Sequence, residues 1–176
     1  MPLDPLGTIQ RLVQPELLAL MATMVHPGLF VGPGADCYKF AGSILHCARD
    51  PWFRHAVMRP GVTWNLSSNP TAIRETYNTM ALNMVDATDP KYFSDEMVNA
   101  GLEFITERFA EGDSVLVHCN QGVSRSPSMC FLWLFEHGFL NDNFDRATNE
   151  FLQLYPKWCP QSGIWQYLKR RCENKA

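Results

Sequence analysis

The sequence predicts a layered α/β domain, and three observations carry that reading. Short apolar runs bounded by glycine, proline and polar residues fill the first two thirds, as strands do. From Ser94 onward apolar residues recur at helical spacing. In "SVLVHCNQGVSRSPSMCFLWLFEHG", finally, an apolar strand, a tight loop and an all-round hydrophobic helix follow one another directly. Strands mixed with helices and closed by a helical end form such layers.

The elements follow in order. "PELLALMATM" reads as a short helix with Pro15 in its first turn, so residues 1–26 are taken as an N-terminal helical extension of a single domain spanning 1–176. "GLFVG" has the flanks of a strand, and "ADCYKFAGSILHCA" reads as a helix weakened at Gly42. "GVTWNLSS" from Gly61 and "YNTMALNMV" from Tyr77 read as two further strands. In "SDEMVNAGLEFITERFAEG", Val98, Leu102, Ile105 and Phe109 share one helical face, and Gly112 ends the helix. "SVLVH" has the continuous apolar character of a strand covered on both faces. Its successor, beginning near Ser126, tolerates Pro127 because first-turn amides lack partners anyway. "NFDRATNEFLQLY" and "SGIWQYLKRRC" complete the helices, with Lys169, Arg170 and Arg171 complementing the end of the last one.

Composition narrows the classes. A chain of 176 residues, 46% hydrophobic and 19% charged, suits one compact domain. The net charge of −3 gives no electrostatic support to a nucleic-acid or membrane partner. No basic start precedes the N-terminal apolar stretch, which argues against a signal peptide and for a cytoplasmic setting, the nucleus included. The six cysteines, at 37, 47, 119, 130, 159 and 172, lack the paired short spacings of a zinc site and read as free thiols.

Cys119 and Arg125 make an odd pair for a hydrophobic core, and the loop between them explains both. Gly122 supplies the freedom for a tight turn in which the amides of Asn120, Gln121, Gly122, Val123 and Ser124 can face inward. Inward amides above a helix N-terminus form an anion site that fits a phosphate. Arg125 adds a bidentate fork at its rim. The same surroundings favour a thiolate, so Cys119 becomes a nucleophile aimed at phosphorus. Ser126 can reach that thiolate, and His118 can order the loop through its backbone.

"HCNQGVSRS" matches the His-Cys-x5-Arg-Ser/Thr signature of the protein tyrosine phosphatase superfamily, and its "SRS" ending and the chain's small size resemble the dual-specificity branch. "HPGLFVG", "GVTWNLSS" and "YPKWCPQSGIWQYL" are similar to that branch's first strand, next strand and closing helical segment. The resemblance implies a central, mainly parallel sheet flanked by helices, and phosphate ester hydrolysis through a phosphocysteine without a metal or other cofactor. It also implies that phosphate, sulfate or vanadate can occupy the loop.

Such a mechanism needs an acid to protonate the leaving oxygen, which in the family lies roughly thirty residues before the cysteine. "NMVDATDPKYF" offers two. Asp89 precedes Pro90 and has a ready job as a cap. Asp86, at a strand's end, has no such job and is preferred. Gln161 reads as a turn or capping residue, Asp142 and Asp145 as the start of a helix, and His26, His46, His55 and His137 as packing or surface residues.

By resemblance, the favoured substrate is a protein carrying phosphotyrosine, with phosphoserine or phosphothreonine also accepted in a shallow pocket. The loop carries no basic residue between Cys119 and Arg125, which weakens a phosphoinositide, and the acidic chain offers no track for RNA. The alternatives are a catalytically weak phosphoprotein-binding module, or a phosphatase acting on a lipid or RNA ester. Rhodanese-like and arsenate-reducing enzymes also present a cysteine in an anion loop, but "GVSRS" departs from the first. The second carries its cysteine near the N-terminus.

Overall fold

The computed structural model describes residues 22–50 and 72–174. Among these, six strands form one sheet: β1 (Thr23–His26), β2 (Leu29–Pro33), β3 (Ser43–His46), β4 (Ala72–Thr76), β5 (Thr79–Leu82) and β6 (Val115–Cys119). Their order is β1-β2-β6-β3-β5-β4. The inner neighbours β2, β6, β3 and β5 run parallel, and β1 and β4 are antiparallel edges. The α/β fold with a mainly parallel sheet and flanking helices is therefore as expected.

Every residue of β6 is buried, which is what its unbroken apolar run requires of a strand paired on both edges. Among the described residues, the helices accompanying the sheet are α1 (Asp95–Ala110), α2 (Arg125–Glu136), α3 (Phe144–Leu154) and α4 (Ser162–Glu173). α1 packs over β3, β4, β5 and β6, while α2 packs over β6 and β2 and against α1, α3 and α4. α2 is buried from Arg125 through Leu134, and Phe131 lies among Phe144, Phe151 and Trp158.

The helix starts have local causes. Ser94 Oγ accepts the Met97 N–H at 3.2 Å, with Asp95 and Glu96 in the first turn. Asn143, rather than Asp142, caps α3 by accepting the Arg146 N–H at 3.1 Å, and Asp145 sits in the first turn. At the far end Arg171 donates to Glu136 and Asn99, each at 2.7 Å, fixing α4 to α2 and α1. None of the helices among the described residues is long and apolar enough to cross a membrane.

Two sequence expectations change. The described part of the 1–26 extension is not helical: Thr23–His26 pairs with β2 as an edge strand, and residues 1–21 lie outside the described residues. "ADCYKFAGSILHCA" is not a helix either. It holds one 3-10 turn (Gly34–Asp36) and then β3, because Ser43 and Ile44 find hydrogen-bonding neighbours in β6 and β5 on both sides. β4 was not anticipated at all. The strand expected at 61–68 lies outside the described residues.

Candidate active site

β6 ends at Cys119 and α2 begins at Arg125, so the loop between them spans the C-terminal edge of a buried parallel strand. Gly122 has φ +72, a region costly for other residues. A Cβ there would also lie 2.7–2.8 Å from the backbone of Gly32 and Pro33.

The outward carbonyls of this loop are held by the surrounding fold. Gly34 N–H reaches the Asn120 carbonyl at 3.4 Å, the Tyr155 hydroxyl donates to Gly122 O at 2.7 Å, and Cys159 N–H donates to Val123 O at 2.7 Å. Each trans peptide then turns the following amide, of Gln121, Val123 and Ser124, the opposite way. Burial pushes the Tyr155 phenol up to about 12, with the nearby Cys119 adding to it, so the hydroxyl stays a donor.

A pocket of about 220 Å³ opens above the loop, lined by Cys119, Asn120, Gln121, Val123, Ser124, Arg125 and Asp86. It is small beside typical ligand sites and suits a single tetrahedral group. Cys119 is buried, and the Ser126 hydroxyl donates to its Sγ at 3.2 Å. Arg125 is 8% exposed, and its Nη1 donates to the Met84 carbonyl at 3.1 Å. Its Nε is buried and makes no hydrogen bond among the described residues, 3.9 Å from Asp86 Oδ1. A buried guanidinium N–H without a hydrogen bond beside an anion-sized pocket calls for an acceptor. Burial pushes the neighbouring thiols of Cys47 and Cys130 up, and Cys119 adds to both.

The two aspartates separate cleanly. Asp86 accepts the Ser124 hydroxyl at 2.8 Å and lines the pocket. Asp89 caps the 3-10 turn Pro90–Tyr92, accepting Lys91 N–H at 3.0 Å, with Lys91 Nζ 2.8 Å from its other oxygen. The Lys91 side chain and backbone N–H hold the Asp89 carboxyl below the usual range. The loop between them rests on the start of α4. Ser162 Oγ donates to Thr88 O at 3.0 Å, and a Cβ on Gly163 would fall 2.4 Å from Ala87 O.

His118 faces both a second histidine and the start of the loop. Its Nε2 meets His46 Nδ1 at 2.5 Å, and its buried ring interacts with the Cys119 backbone at the start of the loop. His46, read from the sequence as a packing or surface residue, is thus its main partner. Burial lowers the His118 imidazole from 6.5 to about 4, against smaller upward pulls from the Cys119 backbone and Asp36. The unfolded chain therefore binds a proton between pH 6.5 and 4 that the folded chain refuses, and stability falls as pH falls through that window. The expected loss is about 3 kcal/mol. Urea melts of the parent and of His118→Gln across this window test it: the variant should show the flatter slope, and equal slopes would refute the assignment.

Some contacts leave no trace in the sequence. The Met84 carbonyl, the Gln161 amide (which donates to Ser124 Oγ at 3.1 Å), the Tyr155 hydroxyl and the His46 ring all come from distant segments. Gln161 is the N-cap residue of α4 but makes no side-chain cap bond.

A strand-end cysteine, a turn of inward amides and an arginine at a helix start together define a cysteine-dependent phosphatase fold. The sequence model "Dual specificity phosphatase, catalytic domain" matches residues 61–170, and the chain belongs to that family. Among solved structures, it is similar to the human tyrosine phosphatase-like serine/threonine/tyrosine-interacting protein, with TM-score 0.62 and 19% identity over 88% of this chain and 97% of that one. It is also similar to a leucine rich repeat and phosphatase domain containing protein from Entamoeba histolytica, with TM-score 0.60 and 19% identity over 88% and 91%. Tk-PTP in its active form aligns with TM-score 0.60 and 19% identity over 92% and 99%. No curated protein matches it in sequence.

Proposed function

We propose that this phosphatase domain removes phosphate from phosphotyrosine, and from phosphoserine and phosphothreonine, in protein substrates through a phosphocysteine intermediate. The observation that carries the reading is the meeting in one small pocket of Cys119, the Arg125 Nε that makes no hydrogen bond, and the Asp86 carboxyl. Residues 1–176 are read as one catalytic domain.

In the proposed reaction the phosphate sits on the amides of residues 120–124 and the Arg125 guanidinium, which share its charge as the bond to the leaving oxygen breaks. The Cys119 thiolate attacks phosphorus and forms the S–P bond. Asp86, protonated, gives its proton to the departing phenolate or alkoxide. Water then attacks phosphorus, Asp86 takes that water's proton, and the S–P bond breaks to return the thiolate. Ser126, donating to Sγ, stabilises the thiolate as leaving group. A pocket this small and without a basic residue from 120 to 124 favours a single phosphate over a multiply phosphorylated lipid.

Hydrolysis of para-nitrophenyl phosphate in the presence of EDTA tests the reading. Turnover unaffected by the chelator is expected. Loss of turnover with EDTA would overturn the metal-free mechanism, and tight phosphopeptide binding without turnover would make the chain a binding module. Release of phosphate from a phosphoinositide faster than from a phosphotyrosine peptide would overturn the substrate class.

A further inference from the structure

We propose that Ser124 is a positioning residue for the acid: it clamps one carboxylate oxygen of Asp86 and so assigns the transferable proton to the other. This rests on the reading of Asp86 as the proton donor.

Ser124 occupies the N-cap position of α2, where serine ordinarily accepts an amide N–H of its own helix. Here it makes no side-chain cap bond. Ser124 is instead 2% exposed and its hydroxyl is engaged twice, donating to Asp86 Oδ1 at 2.8 Å and receiving the Gln161 N–H at 3.1 Å. The Gln161 amide takes one lone pair of the hydroxyl oxygen, and an ionised carboxylate can only accept, so the hydroxyl's single hydrogen goes to Asp86. The direction of the bond is fixed by the carboxylate, which has no hydrogen to give.

The consequence falls on the carboxyl group. Asp86 is 37% exposed at its side chain and would otherwise rotate between its two oxygens. With Oδ1 receiving a hydrogen, a proton on the protonated acid is directed to Oδ2. The first turn of α2 gives up a side-chain cap, which leaves its amides to the bound phosphate. The contact also ties three segments together: the acid loop, the phosphate loop and the entrance of α4, whose Ser162 and Gly163 already bear on residues 87–89.

The test is a pair of cycles on kcat and KM. Ser124→Ala should lower kcat for a phosphotyrosine peptide about tenfold, the scale of one lost hydrogen bond, with KM within about twofold. The loss with para-nitrophenyl phosphate, whose leaving group needs less protonation, should be smaller. Ser124→Thr, which keeps the hydroxyl, should restore most of kcat. In an Asp86→Ala background, Ser124→Ala should change nothing further. A tenfold loss that persists in that background, or that is equal for both substrates, would overturn the positioning role while leaving the phosphatase reading intact. Full activity in Asp86→Ala alone would overturn the acid assignment and the role of Ser124 with it. Should Ser124→Ala fail to fold, Ser124→Cys, of similar size and a weak donor, gives the same comparison.

Discussion

Cys119→Ser is expected to abolish turnover of para-nitrophenyl phosphate, lowering kcat by at least about 1,000-fold, the scale on which removal of a nucleophile acts. The alcohol stays protonated where a thiol can ionise, so the attack on phosphorus loses its nucleophile. The substitution is otherwise slight. Cys119 is buried at the end of β6, serine is close in shape, and Ser126 can still donate to the new hydroxyl. The loop amides, Gly122 and Arg125 keep their positions, because their supports come from Tyr155, Cys159 and Met84 rather than from sulfur. The serine variant should therefore still bind a phosphotyrosine peptide in isothermal titration and melt near the parent. Activity within tenfold of the parent would sink the phosphocysteine route. Loss of both binding and fold would point to Cys119 as a packing residue.

How much of this was legible in the sequence follows from the range of the forces involved. The spacing from Val115 to Glu136 announces strand, loop and helix because each is defined by its own residues: an unbroken apolar run, a glycine with positive φ, and an all-round hydrophobic helix. α1, α3 and α4 likewise carry their periods and ends within themselves. β3 does not. "SILH" lies in a segment with a helix-like look, and only the parallel neighbours β5 and β6 make it a strand. β1 and β4 are short edges whose pairing with β2 and β5 gives them their identity. At the site, Cys119, Arg125 and Ser126 are named together because they lie close in the chain, on one strand end, loop and helix start. The Ser124–Asp86 and His118–His46 contacts join segments 38 and 72 residues apart, and nothing local records that closure. Asp86 and Asp89 could be ranked from the sequence only by elimination: one aspartate had a cap to make and the other did not. The Asp89–Lys91 contact bears out that cap.

Asp86→Ala carries the second large effect. It should slow cleavage of a phosphotyrosine peptide by about 100-fold, within the usual contribution of a positioned proton donor. The loss with para-nitrophenyl phosphate should be smaller, because that leaving group departs without much help. The basic limb of the pH–rate profile should flatten, since it reports an acid that must hold its proton to act. Asp89→Ala should behave differently. Its exposed carboxylate faces the Lys91 ammonium and accepts the Lys91 N–H at the start of a 3-10 turn, so its loss should lower stability slightly and leave the limb in place. The two residues share one loop, so a general disturbance of that loop would affect both variants alike. A basic limb abolished by Asp89→Ala and kept by Asp86→Ala would reverse the assignment. An unchanged limb in both would place the proton donor outside this loop.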